Sequence, residues 1–207
     1  MKKVAIIDFK VGNIFSVVQA CKEIGLAVEV TSNYDSILSS DGVILPGVGA
    51  FGDAMQSLKD QNLVETIKDF INSGKPFMGI CLGFQLLFSL SEEFGRNEGL
   101  DIIKGSVIKL NNIQDKVPQI GWNKIFKKNN DWENTPLINT INGEYMYFVH
   151  SYYVKPDDDD IILTYTNYSG FKYCSSINKE NIFATQFHPE KSGKKGLEIY
   201  KNWSKQL

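Results

Sequence analysis

The first half of the chain alternates two hydrophobic patterns. Short, largely apolar runs, which are typical of buried strands, occupy residues 4–7, 28–30, 43–45 and 77–80. Between these runs, apolar residues recur at helical spacing over 14–24 and 63–71, and Gly25 and Gly74 predict where the two helices end. Strands that alternate with helices favour a parallel sheet with helices packed on both faces.

The second half has a different pattern. Beyond Val107 the apolar segments become strand-like and are separated by turn residues: they occupy residues 144–154, 161–168 and 182–187. A final helix is predicted around 195–203. We therefore expect a single α/β domain over 1–207, with a mostly parallel central sheet and an antiparallel extension. The acidic run 157–160 is more typical of a solvated turn than of a metal site, because consecutive acidic side chains rarely converge on one ion.

Composition narrows the class of protein. The chain has 207 residues, of which 43% are hydrophobic and 22% charged, and this suits one compact domain. The net charge is −2 and no basic stripe is present, so nucleic acid is not an expected partner. Residues 1–8 predict a first strand and not a signal peptide, and no run approaches the ~20 apolar residues that span a bilayer. We expect a soluble, cytoplasmic protein without a membrane segment, metal or cofactor.

The three cysteines, Cys21, Cys81 and Cys174, are odd in number and widely spaced. This pattern fits neither a disulfide framework nor a zinc site, and it favours a reducing compartment. An isolated cysteine is most often a small buried hydrophobic residue, which is our interpretation of Cys21 and Cys174.

Cys81 differs because it lies between Gly79 and Gly83, after a predicted strand and before an apolar helix that runs through Leu86 and Leu87. Such a turn holds a nucleophile in a strained, exposed position, and its glycines let the backbone pack closely. The positive end of the following helix would favour the thiolate. Cys81 is therefore a candidate nucleophile that needs a base.

The chain contains two histidines, His150 and His188. His188 follows a predicted strand, and Glu190 can accept a hydrogen bond from its imidazole and set its tautomer. Together with Cys81 these residues predict a Cys-His-Glu triad, although a histidine next to proline is, by itself, equally typical of an exposed loop. His150 lies within a strand among aromatic residues, and we interpret it as structural or as adjacent to a substrate.

A glycine-rich loop follows the strand at 43–45. Its glycines either form a tight turn or present backbone N–H groups to an oxyanion, and the loop lacks the Gly/Lys pattern of a P-loop. We expect it at the same edge of the sheet as Cys81, where open α/β sheets bind ligands.

Three segments together resemble the class I, or triad-type, glutamine amidotransferases: PGVGAFG at 46–52, GICLGFQ at 79–85 and FHPEKS at 187–192. Within this family the chain is most similar to the glutaminase subunits of imidazole glycerol phosphate synthases. The similarity covers nearly the whole chain, since it extends to residues 8–13, 91–95, 121–123 and 147–152. It implies a flavodoxin-like fold in one amidotransferase domain.

The resemblance also implies roles for the matching residues. Cys81 would attack the side-chain amide of glutamine, His188 would shuttle the proton and Glu190 would orient His188. A further set would bind the oxyanion or the polar ends of glutamine: Gly47, Val48, Gly49, Leu82, Gln85, Glu93, Ser151 and Tyr152.

The same resemblance implies a partner, a (β/α)8-barrel cyclase subunit that forms a heterodimer with the glutaminase and uses its ammonia in histidine biosynthesis. Asn13, Trp122 and Lys191 match positions that the family places at this interface. Two residues on the same side depart from the family pattern, since Gln119 replaces a histidine and Lys10 a glycine. These departures leave open a paralogous function, in which the ammonia goes to an N-acetylsugar amidotransferase in surface-glycan synthesis.

Two other functions are alternatives. A binding or regulatory module that has lost catalysis is less consistent with the presence of Cys81, His188 and Glu190. A hydrolase of the protease or γ-glutamyl type would need no partner, and strong turnover by the isolated chain would distinguish it.

Overall fold

A computed structural model describes residues 1–111, 115–128 and 132–207. These residues form one sheet of thirteen strands: β1 (Lys3–Ile7), β2 (Ala27–Thr31), β3 (Gly42–Gly47), β4 (Phe77–Cys81), β5 (Phe88–Ser91), β6 (Asn97–Glu98), β7 (Ile103–Lys109), β8 (Gln119–Lys127), β9 (Glu144–His150), β10 (Tyr152–Pro156), β11 (Ile162–Tyr168), β12 (Phe171–Lys179) and β13 (Ile182–Thr185). The α-helices in the described residues are α1 (Ile14–Glu23), α2 (Tyr34–Ser39), α3 (Phe51–Asp60), α4 (Leu63–Asn72), α5 (Leu82–Gln85) and α6 (Gly193–Trp203).

The central part of the sheet is parallel, which confirms the predicted α/β class. Its strands lie in the order β2-β1-β3-β4-β13, and each neighbouring pair is parallel. Strands β3 and β4 are buried along their whole length. The predicted strand at 28–30 is present as β2, but the prediction that it is buried is wrong, because β2 lies at the end of the strand order and Val30 is 42% exposed.

Helices cover both faces of this parallel part. Side chains alternate between the faces of a strand, and on β1 Ala5 and Ile7 pack with helices α2, α3 and α4, while Val4 and Ile6 pack with α1 and α6. The periodic apolar residues that predict α1 and α4 supply the buried faces of those helices. Two hydrophobic cores therefore hold the parallel strands between them.

The antiparallel extension begins at β13. Strand β12 pairs antiparallel with β13, with β10 and with β11, and β10 continues to β7. From β11 the antiparallel pairs β11–β8 and β8–β9 form a branch. This branch contributes to the site because β9 contacts Cys81 at the end of β4 and His188 in the segment after β13.

The structure corrects three segment predictions. Residues 144–154 form two strands that part at Ser151, because β9 pairs with β8 whereas β10 pairs with β7 and β12. The strand predicted to end at Phe187 ends at Thr185. The helix predicted to run through Leu87 ends at Gln85 after a single turn, and β5 starts at Phe88.

Other expectations hold in the structure. The acidic run forms a turn, in which Asp158 accepts a hydrogen bond of 2.9 Å from the backbone N–H of Asp160. Cys21 and Cys174 are buried free thiols. Within the described ranges, none of the helices has the length and apolar character required to cross a bilayer.

Candidate active site

The candidate site lies where three neighbouring strands end. Strand β4 lies between β3 and β13, and Gly47 at the end of β3 is in register with Cys81 at the end of β4. His188 lies in the segment that follows β13. Because parallel strands end at the same edge of a sheet, the glycine-rich loop, Cys81 and His188 converge there.

Cys81 has a strained backbone conformation, with φ 54° and ψ −108°. Such a conformation of a non-glycine residue costs on the order of 1–3 kcal/mol. The turn depends on close packing against β3, because a Cβ atom at Gly83 would lie 1.9 Å from the carbonyl oxygen of Leu45. A Cβ atom at Gly79 would lie 3.2 Å from backbone atoms of Gly83 and Phe84. These distances explain the glycines on either side of Cys81.

His188 and Glu190 form a buried pair. The His188 Nδ1 atom lies 2.7 Å from Glu190 Oε1, and both side chains are 2% exposed. The backbone N–H of His188 donates to the carbonyl oxygen of Tyr147 at 2.9 Å, and the Ser192 hydroxyl donates to the carbonyl oxygen of His188 at 2.7 Å. The carboxylate therefore fixes the imidazole with a proton on Nδ1 and with Nε2 directed away from Glu190.

The other ring nitrogen, His188 Nε2, is buried and makes no hydrogen bond among the described residues. Burial by itself lowers the pKa of His188, but the negative charges of a Cys81 thiolate and of Glu190 outweigh it and raise the pKa to about 10. The imidazolium form is thus favoured next to a thiolate. This arrangement can take a proton from a thiol and hold it close to the sulfur.

Two further groups contact the Cys81 sulfur. The thiol donates a hydrogen bond to the carbonyl oxygen of Val149 at 3.8 Å, and the Gln186 side-chain N–H donates to the sulfur at 3.7 Å. Val149 lies on β9 and Gln186 directly follows β13. The nucleophile candidate is therefore held between a hydrogen-bond acceptor and a donor.

A pocket of about 250 Å³ opens beside Cys81, which suits a ligand of amino-acid size. Most of the residues predicted to bind the oxyanion or the substrate line it: Val48, Gly49, Leu82, Gln85, Glu93, Ser151 and Tyr152. Gly47 does not line the pocket but lies next to it, where a Cβ atom would lie 3.0 Å from Leu82 Cβ. The structure thus brings the predicted set to one location.

Polar groups in the pocket are held by the backbone. The Glu93 carboxylate accepts a hydrogen bond of 2.7 Å from the backbone N–H of Phe51. Desolvation raises the pKa of Glu93, and the Phe51 N–H opposes this shift. The amide nitrogen of Gln85 donates to the carbonyl oxygen of Tyr152 at 2.9 Å, which leaves the amide oxygen as the group that Gln85 can offer to a ligand.

His150 is both a structural residue and a neighbour of the candidate substrate pocket, the two roles that its sequence position allows. It lines the pocket, but its ring nitrogens are engaged elsewhere: Nδ1 lies 2.8 Å from the Tyr152 carbonyl oxygen and Nε2 lies 3.1 Å from the Tyr173 hydroxyl. Burial lowers the pKa of His150 to about 4. The side chain is therefore neutral near pH 7 and supports the pocket wall.

The predicted interface residues lie outside the pocket. Trp122 is 55% exposed and packs edge-on against Tyr147, with ring centroids 6.1 Å apart. The Lys191 ammonium lies 5.8 Å from the centroid of the same Tyr147 ring. Asn13, at the start of α1, donates to the Ser16 hydroxyl at 3.1 Å and has no described contact with this group. Trp122 and Lys191 thus belong to one surface cluster with Tyr147.

Three residues at the site were not predicted from the sequence: Pro118, Val149 and Gln186. Pro118 and Val149 line the pocket, and Gln186 contacts the sulfur. Pro118 and Val149 lie on or next to strands that are far from Cys81 along the chain, so no local pattern indicates them. Gln186 does have a local signal, because it is a polar residue at the end of an apolar strand, two positions before His188.

Comparison with known proteins gives a consistent result. Residues 5–207 match the family model described as glutamine amidotransferase class-I. The chain is 47% identical over 205 residues to the imidazole glycerol phosphate synthase subunit HisH of Aquifex aeolicus, which covers 98% of this chain and 96% of the relative. It is 45% identical to the protein of the same name from Caldanaerobacter subterraneus subsp. tengcongensis, with 99% and 98% covered.

Solved structures share the fold at much lower identity. The PurLQS structure from Thermotoga maritima superimposes with a TM-score of 0.72 at 18% identity and covers 99% of this chain and 98% of that chain. The glutaminase domain of Trypanosoma brucei CTPS has a TM-score of 0.62 at 17% identity, with 100% and 95% covered. These structures support the fold assignment alone.

Proposed function

Because the chain belongs to the class I glutamine amidotransferases, we propose that it is the glutaminase subunit of an imidazole glycerol phosphate synthase. It hydrolyses glutamine to glutamate and ammonia, and it passes the ammonia to a (β/α)8-barrel cyclase subunit in histidine biosynthesis. The observation that carries the proposal is the buried His188–Glu190 pair together with a strained Cys81 that lines a pocket. Residues 1–207 form the amidotransferase domain in this proposal.

Catalysis begins with proton transfer from the Cys81 thiol to His188 Nε2, which makes no hydrogen bond among the described residues and is free to accept the proton. The thiolate then attacks the side-chain carbonyl carbon of glutamine. His188 returns the proton to the departing nitrogen, so that ammonia leaves and a γ-glutamyl thioester remains. Water, deprotonated by His188, hydrolyses the thioester, and the proton that His188 has taken up returns to the sulfur as glutamate is released.

The pocket residues take the roles that their positions support. Backbone N–H groups of the loop at Gly47–Gly49 and of Leu82 stabilise the oxyanion of the tetrahedral intermediates. Glu93 lies at the pocket wall and offers a carboxylate for the α-ammonium group of glutamine. Gln85, Ser151 and Tyr152 bind the remaining polar groups of the substrate.

A partner subunit follows from the fate of the product. Ammonia that escapes into water near pH 7 is protonated and loses its nucleophilicity, so the acceptor enzyme has to dock at the site of release. The relatives from Aquifex aeolicus and Caldanaerobacter subterraneus are named as synthase subunits. We assign Asn13, Trp122 and Lys191 to the docking surface, on which Trp122 presents a large exposed aromatic ring, the kind of residue that dominates protein interfaces.

The names of the relatives favour the histidine pathway over the sugar-amidation paralogue. The proposal is tested by measuring glutamate release from glutamine by the chain alone and mixed with the barrel subunit from the same source. Each reaction is run with and without the phosphoribulosyl-formimino-carboxamide ribonucleotide that the cyclase uses. We expect strong stimulation only when both the barrel and the nucleotide are present.

Three other results would contradict parts of the proposal. Stimulation by the barrel that ignores the nucleotide would retain the glutaminase and redirect its ammonia to another acceptor. High turnover by the isolated chain would favour a hydrolase that needs no partner. Absence of glutamate release under every condition would overturn the enzymatic assignment.

A further inference from the structure

Gln186 is a buried amide that the catalytic scheme above does not use. It is fully buried and directly follows β13, where its backbone N–H donates to the carbonyl oxygen of Ser175 at 2.9 Å. Its side-chain nitrogen lies 3.7 Å from the Cys81 sulfur. A buried amide that touches a nucleophile affects the charge state of that nucleophile, so its orientation matters.

The orientation of the Gln186 amide is set by its neighbours. Gln85 donates one N–H to the carbonyl oxygen of Tyr152 at 2.9 Å and the other to Gln186 Oε1 at 3.0 Å. A backbone carbonyl only accepts hydrogen bonds, so the nitrogen of Gln85 has to face Tyr152. The oxygen of Gln186 is then the atom that faces Gln85, and its N–H groups are directed towards Cys81.

The two contacts of the sulfur favour different protonation states. The Val149 carbonyl oxygen accepts a hydrogen bond from the neutral thiol, but a thiolate has no proton to donate and would be repelled by that oxygen. The Gln186 N–H donates to sulfur in both states, and it binds the negatively charged thiolate more strongly. The Gln186 contact therefore persists when the thiol loses its proton, whereas the Val149 contact does not.

We propose that Gln186 stabilises the Cys81 thiolate by a direct side-chain hydrogen bond when the thiol proton moves to His188 Nε2. The inference rests on the proposed function, because it concerns the same nucleophile. Gln186 is thus a fourth residue of the catalytic site, and Gln85 positions it while presenting its own oxygen to the pocket.

The thiolate can be measured without substrate or partner. Alkylation by iodoacetamide is a reaction of the thiolate. Burial raises the pKa of Cys21 to about 12 and raises the pKa of Cys174 further, so these two thiols stay protonated and unreactive near pH 7. The rate of alkylation of the folded chain, with the modified peptide identified by mass spectrometry, therefore reports Cys81.

Two variants separate the possible roles of Gln186. Gln186→Met has a similar length but neither donates to Cys81 nor accepts from Gln85. Gln186→Glu retains the acceptor for Gln85 and replaces the N–H that faces the sulfur with a carboxylate oxygen. We expect Cys81 to be alkylated at least about tenfold more slowly in both variants than in the wild type. Loss of a hydrogen bond to a charged group lowers the population of the charged form by roughly this factor.

Asn202→Leu is the matched control. Asn202 is another buried amide, but it lies in the last turn of α6 and donates to the carbonyl oxygen of Pro136 at 3.2 Å, so its removal should leave the alkylation rate unchanged. Circular dichroism and thermal unfolding of each variant verify that it is folded. If Gln186→Met does not fold, a wild-type rate in the isosteric Gln186→Glu variant would still overturn the inference.

The outcomes distinguish the inference from the proposed function. Wild-type alkylation rates in both variants would overturn the inference, and a slow rate in Gln186→Met alone would reduce Gln186 to an anchor for Gln85. A wild-type Cys81 that reacts no faster than Cys21 and Cys174 would count against the proposed function itself.

Discussion

The backbone carbonyl of Tyr147 accepts a hydrogen bond of 2.9 Å from the backbone N–H of His188. Tyr147 lies on β9 in register with Trp122 on the neighbouring strand β8, and the two rings contact each other edge-on. An exposed tryptophan is thus linked through one residue to the backbone of the candidate catalytic histidine. A partner that binds Trp122 and displaces its ring would therefore also act on Tyr147, whose carbonyl group holds the backbone of His188.

We predict that Trp122→Ala weakens the complex with the barrel subunit by about tenfold or more, or uncouples glutamine hydrolysis from synthesis, because large buried aromatic anchors dominate interface energies. Titration calorimetry gives the affinity, and the ratio of glutamate to final product gives the coupling. Tyr34→Ala, which removes an aromatic ring of similar exposure from α2, serves as the control. Normal affinity together with normal coupling would remove Trp122 from the docking surface.

Cys81→Ala should abolish glutamine hydrolysis, with a loss of at least about 10³-fold, because no other group can form the thioester. The fold and the docking of the partner should be retained, since alanine has the same Cβ atom and the same backbone strain at φ 54°. Glutamate release and thermal unfolding measure the two effects. Cys174→Ala is the control for the loss of a buried thiol, and an unfolded Cys81→Ala variant would instead identify Cys81 as a structural residue.

Gly83→Ala should destabilise the protein by about 3 kcal/mol or more, because the added methyl group would lie 1.9 Å from the Leu45 carbonyl oxygen and would force α5 away from β3. Gly74→Ala is a useful comparison: Gly74 has φ +76° but nothing within 4 Å of an added Cβ, so only backbone strain of about 1 kcal/mol is expected. Urea unfolding of both variants provides the comparison. Equal losses would mean that the turn at Cys81 can relax.

His150 should make the free energy of unfolding decrease as the pH falls below neutrality. Its pKa is about 4 in the folded chain and about 6.5 when unfolded, so the unfolded state binds more protons between these values. The stabilisation is complete above pH ~6.5 and is lost as the pH falls towards 4. Between about pH 7 and pH 5 the wild type should lose about 2 kcal/mol more than His150→Gln. Urea unfolding at both pH values tests this difference, and parallel losses in the two proteins would contradict it.

The sequence alone determined the fold class and the main catalytic candidates. Apolar runs and helical spacing depend on neighbours within a few residues, so they predicted β1, β3, β4, α1 and α4. The glycines around Cys81 and the His188-Pro189-Glu190 segment are equally local signals, and the structure brings their side chains into one site.

Tertiary structure decided the contacts that join distant parts of the chain. Gln186 and Cys81 are 105 positions apart, and Val149 is 68 positions from Cys81. Whether such residues meet depends on the order and register of the strands, which a single-sequence pattern does not encode. The division of 144–154 at Ser151 has the same origin, because pairing with β8 on one side and with β7 on the other, and not local hydrophobicity, ends each strand. The sequence therefore supplied the reactive groups, and the long-range pairing of the sheet supplied the hydrogen bonds that surround them.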